Sequence, residues 1–144
     1  MNIKIKKLTD TAIIPKRETI GAAGADLHAD IQKTIIILPN HIEKIPTGLS
    51  IEVPENYVAL IFGRSGMGIN HGIVPANAVG VIDEDYRGGM QVGLLNNSNE
   101  IFKVNPNDRI AQLVIVPYIK AEYIESNDLS KTERGNKGFG STGK

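Results

Sequence analysis

The stretch "DRIAQLVIV", residues 108–116, decides what kind of fold this chain adopts. Read with a period of two, Ile110, Gln112, Val114 and Val116 share one face, and Ala111, Leu113 and Ile115 share the other. Both faces are apolar, so the pattern predicts a buried strand. Gln112 breaks that pattern. A lone amide in a buried strand must find hydrogen-bond partners, and either backbone groups or ligand phosphates would serve.

The same short period recurs outward from this strand. "NIKIKKL" (2–8) alternates, and "TIIIL" (34–38) is a β-branched run. "GLSIEVP" (48–54), "YVALIF" (57–62), "MQVGLL" (90–95), "IFKV" (101–104) and "AEYI" (121–124) also read as strands. Pro39-Asn40, Pro46, Pro54, Asn96–Asn99 and Asn105–Asp108 punctuate them as turns. Seven prolines bar a long helix, leaving one helical turn near Ser65–Asn70, which its glycines weaken. Many short strands with regular turns predict an all-β sandwich, jelly roll or barrel.

The chain of 144 residues suits one domain with a real core. Sixteen basic and sixteen acidic side chains cancel, so no net field draws it to nucleic acid or an anionic membrane. With no run of 18 apolar residues and no leader pattern, the expectation is a soluble, unexported, cytoplasmic protein. Cysteine is absent, which removes disulfides, thiolate nucleophiles and cysteine metal sites. Residues 126–138, "SNDLSKTERGNKG", hold a single apolar side chain, Leu129. That segment cannot bury enough to order itself, so residues 1–125 are expected to form the core and 126–144 a flexible arm.

Five motifs suggest chemistry, and each also reads as ordinary structure. The tail "RGNKGFGSTGK" contains G-x-x-x-x-G-K, but no strand precedes it and no helix can follow, so it is not a P-loop. Its glycines, with Ser141, Thr142 and Arg134, could still gather around an anion, or could be a disordered end. "GRSGMG" (63–68) leaves an apolar strand and would expose N–H groups, a hydroxyl and a guanidinium, or form a plain glycine turn. "NAVGVIDEDYRGGMQVGLLNN" (77–97) predicts a hairpin with an acidic bend. There Asp83 would orient a water or act as a base, or merely cap backbone N–H groups, while Glu84 and Asp85 read as solvated turn residues. "GAAGADLHAD" (21–30) packs small residues around Asp26, which reads first as a structural carboxylate. The strand bearing Gln112 is the fifth. His28, His41 and His71 are scattered and form no metal box, so any metal would be Mg²⁺ held by phosphates and water.

Taken in order, "AGADL", "GRSGMG", "GVIDEDYRGG", "RIAQLV" and "RGNKGFGSTG" resemble the five motifs of the homotrimeric dUTPase family, from about residue 15 to the end. The resemblance implies a distorted β jelly roll (a β-clip) with a closing C-terminal arm, and a trimer whose active sites are shared between subunits. It implies hydrolysis of dUTP to dUMP and pyrophosphate, with Mg²⁺ on the triphosphate. By position, Asp83 matches the carboxylate that activates the attacking water. Asn77, Gln91 and the hairpin backbone, with Val81 and Ile82, match the groups that read uracil. Tyr86 matches the aromatic under deoxyribose. Arg64, Ser65, Gly66 and Gln112 match phosphate contacts, and Asp26 matches a position near the metal's water shell. Arg134, Phe139, Gly140, Ser141 and Thr142 match the arm, with the phenyl over uracil and the others on phosphates. Asn70 departs from the pattern, since many members carry lysine there.

The same fold hosts dCTP deaminases and bifunctional deaminase–dUTPases. Deamination uses a glutamate on the strand after the hairpin, and "MQVGLL" has no carboxylate. A non-enzymatic β-sandwich module would explain the strands but not five ordered motifs.

Overall fold

The structure is a computed structural model and describes residues 1–138. Among the described residues, eleven strands and one short helix make an all-β architecture. β1 (Lys4–Lys7) pairs with β5 (Leu49–Glu52), and β3 (Ile35–Ile37) with β10 (Phe102–Val104). A four-stranded sheet runs β2 (Ala25–His28), β11 (Arg109–Pro117), β6 (Tyr57–Phe62), β8 (Gly80–Ile82). A three-stranded sheet runs β4 (Ile42–Pro46), β9 (Gln91–Asn96), β7 (Ile73–Pro75). All these pairings are antiparallel.

The core lies between the sheets, where Leu27, Ile37, Ile45, Leu49, Leu94 and Ile110 are fully buried. Each such side chain contributes about 1.5–3 kcal/mol on burial. Three polar residues, Thr47, Ser50 and Asn96, are buried with them. Asn96 donates to the carbonyls of Ile37 (2.9 Å) and Glu100 (2.7 Å) and accepts from the Ser98 N–H (3.0 Å), which satisfies its amide.

Strand β11 forms where expected, with one change. Its register slips between Arg109 and Ala111: these two face His28 and Leu27, successive residues on β2. The extra residue, Ile110, makes a β-bulge, so Ile110 and Ala111 are both buried, whereas Val114, Ile115 and Val116 are all half-buried. The helical turn forms as α1 (Ser65–His71) and stops at Gly72, whose φ of 68° favours glycine.

Three expectations are corrected. Residues 121–124 form no strand: from Tyr118 to Gly138 the chain has neither strand nor helix and every residue is exposed. Tyr123 and Ile124 are exposed and pack on no surface among the described residues of the chain, so their alternation does not make a strand. The segment 77–97 is not a hairpin, because β8 pairs with β6 while β9 pairs with β4 and β7. Residues 83–90 cross from one sheet to the other. Finally, Glu84 is not a solvated turn residue. Its carboxylate accepts from Lys120 Nζ (2.6 Å) and the Asn56 N–H (2.7 Å).

Candidate functional site

The first cluster grows from the ends of β2, β6 and β11. Asp26 sits on β2 with its side chain 12% exposed. Arg64, the residue after the β6 exit glycine, reaches back with Nε 3.2 Å from one Asp26 oxygen. Arg109 opens β11, and its Nη1 lies 3.2 Å from the other oxygen. The carboxylate thus holds two guanidiniums side by side. Arg64 also donates to the Arg109 carbonyl (3.2 Å), and Glu18 stands 3.5 Å from Arg109. Asp26 and Glu18 together balance the two guanidiniums in formal charge, but Glu18 lies at the exposed edge, 3.5 Å from Arg109, so Arg64 has only Asp26 as its carboxylate partner.

Gln112 completes the cluster. Its Nε2 donates to the Gly63 carbonyl (2.9 Å), so the amide nitrogen binds the backbone where β6 ends. Its Oε1 lies 2.5 Å from where a Cβ on Gly24 would stand, so a side chain at Gly24 would push the amide aside. Ser65 and Gly66 are exposed on the rim, and a Cβ on Gly66 would meet only open space. Arg64 makes no side-chain cap to α1, and the first helical bond runs from the Gly68 N–H to the Arg64 carbonyl. The N–H groups of Ser65, Gly66 and Met67 therefore lack intrahelical partners. Together these residues line a cleft of about 230 Å³.

A second cleft of about 340 Å³ lies between the turn after β7 and strands β4 and β9. Asn77, Gly80 and Gln91 line it together with Lys44 on β4, while Val81 and Ile82 are not part of its lining. The turn is tight: the Ala78 N–H donates to the Pro75 carbonyl (3.0 Å) and the Val79 N–H to the Asn77 carbonyl (2.7 Å). Ala78 adopts φ 62°, a left-handed conformation disfavoured for a residue with a Cβ.

Asp83 follows β8 and is exposed. Val81 is exposed and Ile82 half-buried on that strand. Tyr86 folds over the same segment, its Oη donating to the Gly89 carbonyl (3.2 Å), and its ring occupies the space a Cβ on Gly88 would need. Arg87 Nη1 donates to the carbonyls of Glu84 (2.6 Å) and Tyr86 (2.9 Å), and the Tyr86 N–H to that of Asp83 (3.2 Å). The segment carrying Asp83 is therefore closely stitched.

The structure does not bring Asp83 to the arginine cleft. β6 and β8 pair Ala59 with Ile82 and Ile61 with Gly80, so Asp83 continues beside the start of β6. Arg64 lies beyond the other end. From Val58 to Arg64 the strand rises roughly 20 Å, more than the two side chains can span. Arg134, in the exposed segment, donates to its own neighbour, the Lys137 carbonyl (3.0 Å). Phe139, Gly140, Ser141 and Thr142 lie outside the described residues.

Arg109 was missed as a site residue. It stands in the quoted fold-deciding stretch, but only the pairing of β11 with β2 shows that it shares Asp26 with Arg64. Among the described residues no three His, Cys, Asp or Glu side chains converge on a metal position.

Two arginines thus share one largely buried carboxylate, beside N–H groups without intrahelical partners, in an all-β protein. The dUTPase family model matches residues 10–143, and the chain belongs to the dUTPase family. It is 49% identical over 144 residues to a deoxyuridine 5'-triphosphate nucleotidohydrolase of Nautilia profundicola, covering 100% of both chains. A protein of the same name from Haemophilus influenzae (strain PittEE) is 48% identical over 91% of this chain and 87% of its own. Among solved structures, Staphylococcus bacteriophage 80alpha dUTPase with dUPNHPP superposes with a TM-score of 0.89, at 29% identity over 99% of this chain and 98% of that one. A phage phi11 dUTPase variant, described with a structural Mg(II) ion, matches with a TM-score of 0.80 at 25% identity over 89% and 98%. These relatives are named for dUTP hydrolysis, so the deaminase alternative is set aside.

Proposed function

We propose that this chain hydrolyses dUTP to dUMP and pyrophosphate by attack of a water, oriented by Asp83, on the α-phosphorus. The observation that carries the reading is the cleft in which Arg64 and Arg109 flank Asp26, because phosphoryl transfer needs positioning and charge neutralisation above all. In this reading Arg64, the Ser65 hydroxyl, the Gly66 N–H and Gln112 bind the phosphates. Asn77 and Gln91, which line the second cleft, read uracil together with the backbone around Val81 and Ile82. Tyr86 packs under deoxyribose. A carboxylate is a weak base, so Asp83 acts by aiming a water lone pair as much as by taking its proton. The bond from the α-phosphorus to the bridging oxygen breaks, and pyrophosphate leaves with that oxygen.

Uracil presents O4 where cytosine presents an amine. Backbone N–H donors facing O4 would be left unpaired against cytosine, and unpaired buried donors are costly.

Mg²⁺ fits as a partner of the substrate. Both Asp26 oxygens are taken by guanidiniums, so Asp26 suits a role through water rather than direct ligation. Bound to the triphosphate, the ion would lower its charge.

The separation of Asp83 from Arg64 along β6 supports an active site assembled from more than one copy, and we assign a homotrimer with shared sites. Residues 126–144 then act as an arm, with Arg134, Gly140, Ser141 and Thr142 on phosphates and Phe139 over the base. No described helix is long and apolar enough to cross a membrane. We assign the protein to the cytoplasm.

With Mg²⁺, the purified protein should release pyrophosphate from dUTP roughly a hundred-fold or more faster than from dCTP, dTTP or UTP. Equal rates on all four would overturn the assignment. Asp83→Asn should fold and bind nucleotide while kcat falls by about 10²–10⁴, and a near-normal kcat would remove Asp83 from its role.

A further inference from the structure

The three acids of "DEDY" look alike in sequence, yet the structure treats them differently. Asp83 and Asp85 are exposed, whereas the Glu84 side chain is 24% exposed and fully engaged. Its Oε1 accepts from Lys120 Nζ at 2.6 Å. Its Oε2 accepts from the backbone N–H of Asn56 at 2.7 Å. Asn56 holds a left-handed φ of 63°, which asparagine tolerates better than most residues, just before β6 begins. Lys120 lies three residues past the end of β11, where the Tyr118 N–H also donates to the Asn56 carbonyl at 3.0 Å. One carboxylate therefore fastens three stretches of chain: the entrance to β6, the segment bearing Asp83, and the root of the long exposed segment.

We propose that Glu84 is a positioning residue for hydrolysis, holding the Asp83 segment in place and tying it, through Lys120, to the root of the C-terminal arm. This rests on the reading of Asp83 as the water-orienting group. A lone surface ion pair would contribute little. Here a backbone N–H and an ammonium occupy different oxygens of one carboxylate, and such charge-assisted bonds are the stronger kind. The surroundings agree. The Glu84 carboxyl is held below its ordinary range, first by the Lys120 hydrogen bond and then by the Asn56 N–H. The Tyr118 phenol is pushed up, first by partial burial and then by Glu84, with a smaller push from Asp83. Arg87 ties the carbonyls of Glu84 and Tyr86 from the other side, so a shift at Glu84 carries directly to Asp83.

The arrangement couples two things that sequence keeps apart. Whatever pulls on the chain beyond Tyr118 acts on the same anchor that fixes the carboxylate. Displacing a catalytic group by about 1 Å can cost as much as a hundred-fold in rate.

The test uses the full-length protein with Glu84→Gln, Lys120→Met and Lys120→Arg. Glu84→Gln and Lys120→Met should each lower kcat on dUTP about ten-fold while KM stays within about two-fold. Their double variant should be no worse than either alone, because they break one anchor. Lys120→Arg keeps the charge and should retain most of kcat. Amide hydrogen exchange, which needs no turnover, should speed up at residues 83–86 and 118–121 in the first two variants. Unchanged exchange at 83–86 would overturn the proposal, as would faster exchange with unchanged kcat. If Asp83→Asn kept its turnover, the mechanism would fail while the exchange result still tested the anchor.

Discussion

Arg64 and Asp83 stand at opposite ends of β6, one past its exit and the other beside its entrance. Within a single chain, the arginine proposed to bind phosphate and the carboxylate proposed to orient water cannot meet. Mixing Arg64→Ala with Asp83→Asn protein, after dissociation and reassembly, should restore activity that neither has alone. With equal amounts, roughly a quarter of sites would pair an intact Arg64 with an intact Asp83 from another copy. No recovery after verified exchange of subunits would show that each site uses one chain.

Asp26 separates two cations, and its removal should be felt in stability. Asp26→Ala leaves Arg64 and Arg109 facing each other without their shared acceptor. Both arginines are partly exposed, so water offsets some of the loss, and the cost should be about 1–3 kcal/mol by chemical denaturation. Glu18→Ala, at the exposed edge, should change stability by less than about 0.5 kcal/mol. If the two variants were equally stable, Asp26 would not be the keystone of the cleft.

Truncation after Glu133 removes only residues beyond the last strand. The melting temperature should therefore stay where it is, since β11 ends at Pro117 and everything described after it is exposed. Turnover of dUTP should fall sharply, because the proposed closing arm is lost. Intact kinetics in the shortened chain would reduce the tail to a bystander.

The Glu84–Lys120 pair sets a pH window. The Glu84 carboxyl lies below its ordinary 4.5, so its contribution is present above that value and is lost as pH falls through the lowered one. The Lys120 ammonium is raised above 10.5, first by its hydrogen bond to Glu84. Its contribution is present below 10.5 and is lost as pH rises through the raised value. The difference in melting temperature between the parent protein and Glu84→Gln should be widest between about pH 5 and pH 10 and should shrink at both extremes. A difference that persisted unchanged at acid pH would mean the substitution acts by something other than charge.

Strands β6 and β11 were legible because their apolar runs are long and nearly unbroken. β2, β4 and β7 were not, because "ADLH", "IEKIP" and "IVP" are short, carry charge or proline, and owe their pairing to neighbours far along the chain. "AEYI" has the alternation of a strand, but alternation without a partner edge makes no strand in one chain. The hairpin over 77–97 failed for a related reason: adjacency in sequence suggested pairing, while β8 and β9 each found better edges in different sheets. Arg64, Gln112 and Asp26 were readable as residue types and do gather. Arg109 was hidden because its role depends on β11 lying against β2, and a one-dimensional pattern carries no register between distant strands.

Ala78 is the one left-handed alanine among the described residues; the other non-glycine residues with positive φ are Asn40, Asn56 and Asn107. An alanine in that conformation costs about 1–2 kcal/mol. The turn bearing Asn77 is therefore a stiff bracket, its pitch set by a methyl group that restricts where the backbone can go. Ala78→Gly would release that tension, and an engineer seeking heat tolerance would find it attractive. The same change would let the bracket sway, blurring the surface proposed to tell a carbonyl from an amine.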